Sequence, residues 1–163
     1  MSSRAKNKGS SFERKISKIL SERFKDDTGI DQGFRRNIDS GSYFGGRNQF
    51  RKDVFDTSKA TFGDIICPPG FLFNLECKFY KTAPSFSSIV KQDLKQWDGW
   101  LSQAKQDAEN ASSNMMLIIK YNGVDEIVFV EKQYDVPMLF KYKEYYGYNL
   151  NEFLTLSSKH FFQ

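Results

Sequence analysis

The chain has 163 residues, 39% hydrophobic and 16% aromatic, with a net charge of +4, which suits one folded unit with a real core. No apolar run approaches the roughly 20 residues a membrane helix needs, and the polar, basic start lacks the apolar segment of a secretory signal; a cytoplasmic protein is expected. Two cysteines, Cys67 and Cys77, are too few for a disulfide framework or a four-sulfur zinc site and read as small buried hydrophobes.

Residues 1–9 read as a flexible basic arm. A helix is predicted from Ser10 or Ser11, because Phe12, Ile16, Ile19, Leu20 and Phe24 recur at helical spacing, with Gly29 ending it. Residues 30–62 are rich in Gly, Asn, Asp, Ser and Arg, which is loop chemistry, with a short strand near 34–38. A hairpin follows: residues 62–67, a Pro68-Pro69-Gly70 turn, then residues 71–80. Beyond a polar stretch, Leu94, Trp97, Leu101, Ala104 and Ala108 form the apolar stripe of a long helix. Residues 115–121 are almost wholly apolar, as in a strand covered on both faces; Asn122-Gly123 turns the chain and 126–130 is another strand. The aromatic tail, 134–163, is expected to hold a short helix around 152–158. One domain over 1–163 is expected, an α/β fold with a central mixed sheet flanked by helices.

Charge is uneven along this order. Residues 1–62 carry fourteen Lys/Arg against eight Asp/Glu, and residues 63–163 carry ten against twelve. A basic front half suits a polyanionic partner, although a solvated lysine-rich surface accounts for the same numbers.

The chemistry concentrates in Phe73-Asn74-Leu75-Glu76-Cys77-Lys78-Phe79. Strand alternation sends Phe73, Leu75, Cys77 and Phe79 to the core and puts Asn74, Glu76 and Lys78 together on the other face. With the turn centred on Pro69, Asp64 falls opposite Asn74, diagonal to Glu76 and on the same face. A one-residue slip would send it to the wrong side. Two carboxylates beside a lysine suit phosphodiester hydrolysis: oxygen ligands bind Mg²⁺, the backbone carbonyl of Cys77 can add another, and Lys78 can position water or neutralise charge. The plainer reading of Glu76 and Lys78 is a solvent-facing strand pair with a weak ion bridge. Glu13 has a plainer reading too, since Ser10-x-x-Glu13 is a capping box.

Several short motifs, in order, resemble the PD-(D/E)xK nuclease superfamily, and within it the archaeal-type Holliday junction resolvases and their phage relatives, over roughly residues 8–121. Lys8-Gly9-Ser10-Ser11-Phe12-Glu13-Arg14 resembles the opening KG-x-x-x-ER, and Arg36 followed by Ser40-Gly41-Ser42 is similar to R…SGS. Gly63-Asp64 with Glu76-Cys77-Lys78 matches the D…E-x-K core, and Lys91-Gln92 resembles a KQ that opens the next helix. The resemblance implies a restriction-endonuclease-like fold, with Glu13, Asp64 and Glu76 as metal ligands and Lys78 as the catalytic lysine. It also implies Ser40 and Ser42 near the scissile phosphate, Gln92 contacting the site, and a homodimer matching the two-fold symmetry of a four-way junction. Lys8, Arg14, Arg35, Arg36, Arg47 and Arg51 are the basic candidates for DNA contact. Two features depart from the pattern: Gly63 stands where the family has Pro, and twenty-one residues separate Ser42 from Asp64. The extra loop, 43–62, carries Arg47, Arg51, Lys52 and Lys59 and suits either a DNA-contacting loop or a solvated excursion.

The lone histidine, His160, stands near the end among phenylalanines and reads as structural, which excludes an HNH site and histidine-based triads. No Walker-type phosphate loop is present, so no nucleotide cofactor is expected. The sequence therefore points to a Mg²⁺-dependent nuclease, with Mn²⁺ able to substitute, that resolves branched DNA. Its rivals are a linear-duplex or end-directed nuclease of the same superfamily and a non-catalytic basic DNA-binding protein.

Overall fold

The computed structural model describes residues 3–37 and 62–163, with side chains of the first helix from Asn7 onward. Among these residues seven strands form one sheet: β1 (Arg35–Arg36), β2 (Ile65–Ile66), β3 (Phe73–Tyr80), β4 (Asn114–Tyr121), β5 (Ile127–Val130), β6 (Met138–Tyr142) and β7 (Tyr145–Asn149). Their spatial order is β1-β2-β3-β4-β5-β7-β6. β3 and β4 are parallel and the other pairings are antiparallel, so the expected mixed sheet flanked by helices is what forms. The 43–62 insertion lies outside the described residues except for Phe62.

Each face of the sheet carries its own core. Helix α1 (Ser3–Arg23) lays Phe12, Ile16 and Leu20 on one face, where with Phe24 they meet Leu75, Cys77, Ile118 and Val128. On the other face α4 (Lys95–Asn110) buries Trp97, Leu101, Ala104 and Ala108 against Met115, Leu117 and Ile119 of β4. Both predicted stripes are therefore the buried ones. Strand β4 is buried on both faces because helices cover both, as the unbroken apolar run implied. The smaller helices are α2 (Lys25–Thr28), capped by Gly29 at φ 67°, α3 (Phe86–Val90) and α5 (Leu150–Phe153).

Three expectations need correction. Residues 3–9 are not an arm but the first turns of α1; Ala5, Lys6 and Lys8 carry the helix upstream of the apolar stripe. Ser10 then lies inside the helix, where its amide belongs to the helical ladder, so no capping box forms at Glu13. The tail holds more than a short helix: β6 and β7 form an antiparallel hairpin, followed by α5 at Leu150–Phe153 and a 3-10 turn at Ser158–His160. The hairpin escaped notice because its turn is made without Gly or Pro; Lys143 takes the left-handed φ of 52°. Among the described residues β3, which carries Glu76 and Lys78, is an inner strand with the two-residue strands β1 and β2 outside it.

The C-terminus closes the α1-side core. Phe161 is fully buried among Phe24, Phe71, Phe73 and Phe153. Its carbonyl accepts from the Leu72 N–H at 2.8 Å, tying the tail to the start of β3. His160 packs its ring edge-on to Tyr134, a structural contact. Phe161→Ala should cost about 3–5 kcal/mol of unfolding free energy, measured by denaturant titration.

Candidate active site

Alternation along β3 decides which side chains meet. Phe73, Leu75 and Cys77 enter the α1-side core. Asn74, Glu76 and Lys78 stand in register with Met115, Leu117 and Ile119 of β4, on the face that α4 covers. Glu76 is consequently 3% exposed, and Asn74 equally so; neither is a solvent-facing decoration.

Asp64 arrives by a different register from the expected one. Ile65 pairs with Leu75, which sets Asp64 opposite Glu76 rather than Asn74. The displacement is two residues, so the face is preserved. The Asp64 N–H donates to the Leu75 carbonyl at 2.7 Å, and its Oδ2 accepts the Cys77 N–H at 2.8 Å. Backbone groups of one strand residue point to the same side, so the Cys77 carbonyl is directed to the same side of β3 as that N–H. Gly63 makes this approach feasible. Its φ is +78°, and a Cβ there would lie 2.7 Å from the Leu75 carbonyl oxygen and 2.9 Å from Asn74 Oδ1. Proline, locked near −65°, cannot adopt that backbone, which gives the departure from the P-D pattern a physical reason.

Lys78 Nζ donates to Glu76 Oε1 at 2.6 Å. Burial raises the pKa of Asp64, and the charge of Glu13 adds to that; the Cys77 N–H and the cations of Lys78 and Arg36 only partly offset it. Burial, with Asp64 and then Asp107, pushes Glu76 up to about 7 despite Lys78. Burial works against the Lys78 ammonium, yet Glu76 and Asp64 outweigh it and hold its pKa above the ordinary value. Burial, reinforced by the neighbouring carboxylates, drives the Cys77 thiol well above its normal range, so it is no nucleophile.

Glu13 reaches the same neighbourhood from α1, across the sheet from α4. Its Oε2 accepts from Arg36 Nε, a sheltered ion pair that joins α1 to β1. Asp64, Glu76 and Lys78 are thus brought together, with Glu13 beside them but engaged elsewhere. Among the described residues no three His, Cys, Asp or Glu side chains gather closely enough to hold a metal ion. The donor chemistry still fits a hard divalent cation: burial opposes ionisation of both Asp64 and Glu76, Asp64 adds to the cost at Glu76, and a cation held by the two would relieve it.

The other candidates divide. Arg14, Arg35 and Arg36 line one surface groove between α1 and β1. Lys8 is committed locally, donating to Asn122 Oδ1 at 2.9 Å and lying 4.1 Å over the Phe79 ring. Gln92 does not open a helix: it sits between α3 and α4 at φ 54°, its amide bonded to the Lys141 carbonyl and the Lys143 N–H. That amide serves the β6–β7 hairpin, not the carboxylates. Ser40, Ser42, Arg47 and Arg51 lie outside the described residues.

Sequence reasoning passed over one neighbour of the site. Asp107 of α4 adds charge near Glu76; its place beside the buried Ala108 was the available signal. Asn74, which the alternation already set beside Glu76, has a buried Nδ2 with no hydrogen-bond partner among the described residues.

The family model described as "Phage putative PDDEXK endonuclease" matches residues 4–161. No curated protein and no solved structure matches the chain.

Gly63→Ala should cost about 1–3 kcal/mol and displace Asp64, seen as a lower thermal midpoint together with lost activity. Glu76 yields a pH test in metal-free protein. Its folded pKa, about 7, exceeds the ordinary 4.5, so its stabilising contribution is complete below about 4.5 and lost as pH rises toward 7. Glu76→Gln should therefore raise stability at pH 8 by on the order of 1–3 kcal/mol and change little at pH 4. Equal effects at both values would contradict this electrostatic picture.

Proposed function

Because the chain belongs to the phage PDDEXK endonuclease family and is thus a nuclease of the PD-(D/E)xK type, we propose that it is a divalent-metal-dependent endodeoxyribonuclease acting on branched DNA, four-way junctions first. The observation that carries the metal-dependent chemistry is the meeting of Asp64, Glu76 and Lys78 on one sheet face, with Asp64 tied to the Cys77 amide.

Asp64 and Glu76 would hold the ion, Mg²⁺ or Mn²⁺, with the Cys77 carbonyl as a further oxygen donor. When bound, such an ion contributes Lewis-acid contact to a phosphate oxygen and a water of lowered pKa. Glu76 serves in its ionised form; in the metal-free protein its carboxyl is pushed up to about 7, so cation binding should release a proton near neutral pH and tighten as pH rises. Lys78 remains an ammonium at working pH and donates a hydrogen bond toward the attacking water or the phosphate oxygens. Arg14, Arg35 and Arg36, along the α1–β1 groove, suit backbone phosphates rather than bases.

The junction preference rests on the resolvase-like motif order, and it brings with it a two-fold homodimer that presents two sites to a symmetric substrate. A protein of this family would work in the host cytoplasm, and no helix among the described residues is long and apolar enough to cross a membrane. One observation favours a second reading. Gln92, whose KQ motif contributed to the resolvase resemblance, is bonded to the far hairpin. A nuclease acting on linear duplex or DNA ends shares every catalytic residue named here.

A gel assay with a synthetic four-way junction and a linear duplex of matching sequence separates the two. Cleavage of the junction in Mg²⁺, arrest by EDTA and recovery in Mn²⁺ are expected; preference for linear ends would transfer the assignment to the second reading. Asp64→Asn, Glu76→Gln and Lys78→Ala should each lower the cleavage rate at least ~10²–10⁴-fold while DNA affinity in EDTA changes little. Normal cleavage by any of them would remove that residue from the centre.

A further inference from the structure

Arg36 is placed where three interests meet. Its strand β1 pairs with β2, Arg36 standing opposite Ile65, and the next residue, Asn37, donates its N–H to the Asp64 carbonyl at 2.8 Å. Its guanidinium binds Glu13 through Nε. It also lines the basic groove between α1 and β1 with Arg14 and Arg35. Glu13, for its part, lies close enough to Asp64 for its charge to be felt there, yet it completes no three-ligand cluster.

From this arrangement we infer that Arg36 is a latch: it holds Glu13 out of the metal centre until a DNA phosphate in the α1–β1 groove takes the guanidinium over. The inference rests on the nuclease reading above and deepens it with a mode of regulation. A guanidinium has five donors in a planar fork, and a phosphodiester offers two oxygens that match it. The sheltered Glu13 carboxylate, once uncoupled, needs another cation, and a divalent ion held beside Asp64, on which the Glu13 charge already acts, would supply one. DNA would then complete the donor set in the same event that delivers the scissile bond. Metal and DNA affinities become thermodynamically linked, each raising the other by one factor. Free protein in a Mg²⁺-containing cell would hold an incomplete site.

The test reads metal affinity rather than cleavage. Mn²⁺ binding to full-length, DNA-free protein is followed through the electron paramagnetic resonance of the free ion. Arg36→Gln should bind Mn²⁺ about tenfold more tightly than the unaltered chain, and adding Glu13→Gln should abolish that gain. In a Lys78→Ala background, which keeps DNA intact, a short duplex should tighten Mn²⁺ binding by a similar factor, and Glu13→Gln should remove the effect. Glu13→Gln alone, measured in EDTA, covers the case in which Arg36→Gln does not fold. The freed arginine should strengthen DNA binding and steepen its salt dependence by about one phosphate contact. Mn²⁺ binding that requires Asp64 and Glu76 but is unchanged by Arg36→Gln, or DNA affinity unmoved by Glu13→Gln, overturns the latch while leaving the nuclease reading intact. No Mn²⁺ binding by any form, together with no cleavage, overturns both.

Discussion

A single hydrogen bond, from the Cys77 N–H to Asp64 Oδ2, organises the centre. It is an inter-strand contact made by a side chain where a backbone carbonyl would ordinarily accept, and it holds a carboxylate against β3 just where β2 runs out. The tie is a charge-assisted one, stronger than a neutral backbone bond in a sheltered setting. Asp64 itself precedes β2, anchored by backbone bonds to Leu75 and Asn37; the side-chain tie turns its carboxylate to β3, within the field of Lys78 and near Glu76. The raised pKa of Glu76, begun by burial and extended by Asp64, the stable charge on Lys78 and the suitability for a divalent cation all draw on that proximity.

Such an arrangement is costly to the apoprotein. Burial strips hydration from Glu76 and in part from Asp64, and the Lys78 ammonium does not offset it at either. The fold tolerates the charge because it is well built elsewhere: a dry aromatic layer under α1 and a Trp-centred layer under α4, with Trp97 Nε1 bonded to Tyr121 Oη at 2.7 Å. Function here draws on stability supplied by distant packing, a common division between site and scaffold.

Much of this was readable from residue order. The alternation of β3, the two helical stripes and the apolar run of β4 are periodic signals, and burial follows period wherever a face must be covered. The D…E-x-K spacing put Asp64 on the same face as Glu76 and Lys78 for the same reason, since a two-residue alternation survives a two-residue error in register. The misreadings fall where periodicity is silent. Residues 3–9 have no apolar stripe but do have helix-forming side chains, so their helix went unseen. The β6–β7 hairpin turns on Lys143 in a left-handed conformation that composition does not advertise. Gln92 looked like the opening of a helix and is instead a bridge to that hairpin.

What composition and spacing settled, then, is chemical type and face: which acids and which lysine share one side of a strand, since that depends only on parity along the chain. Three-dimensional packing settled distance and state. That Gly63 must be a glycine, that Glu13 answers to Arg36 rather than to its own helix, and that Glu76 titrates near 7 all depend on contacts between segments far apart in the chain. Local sequence carries no record of such encounters, because desolvation and Coulomb forces act on what is near in space, whatever its number.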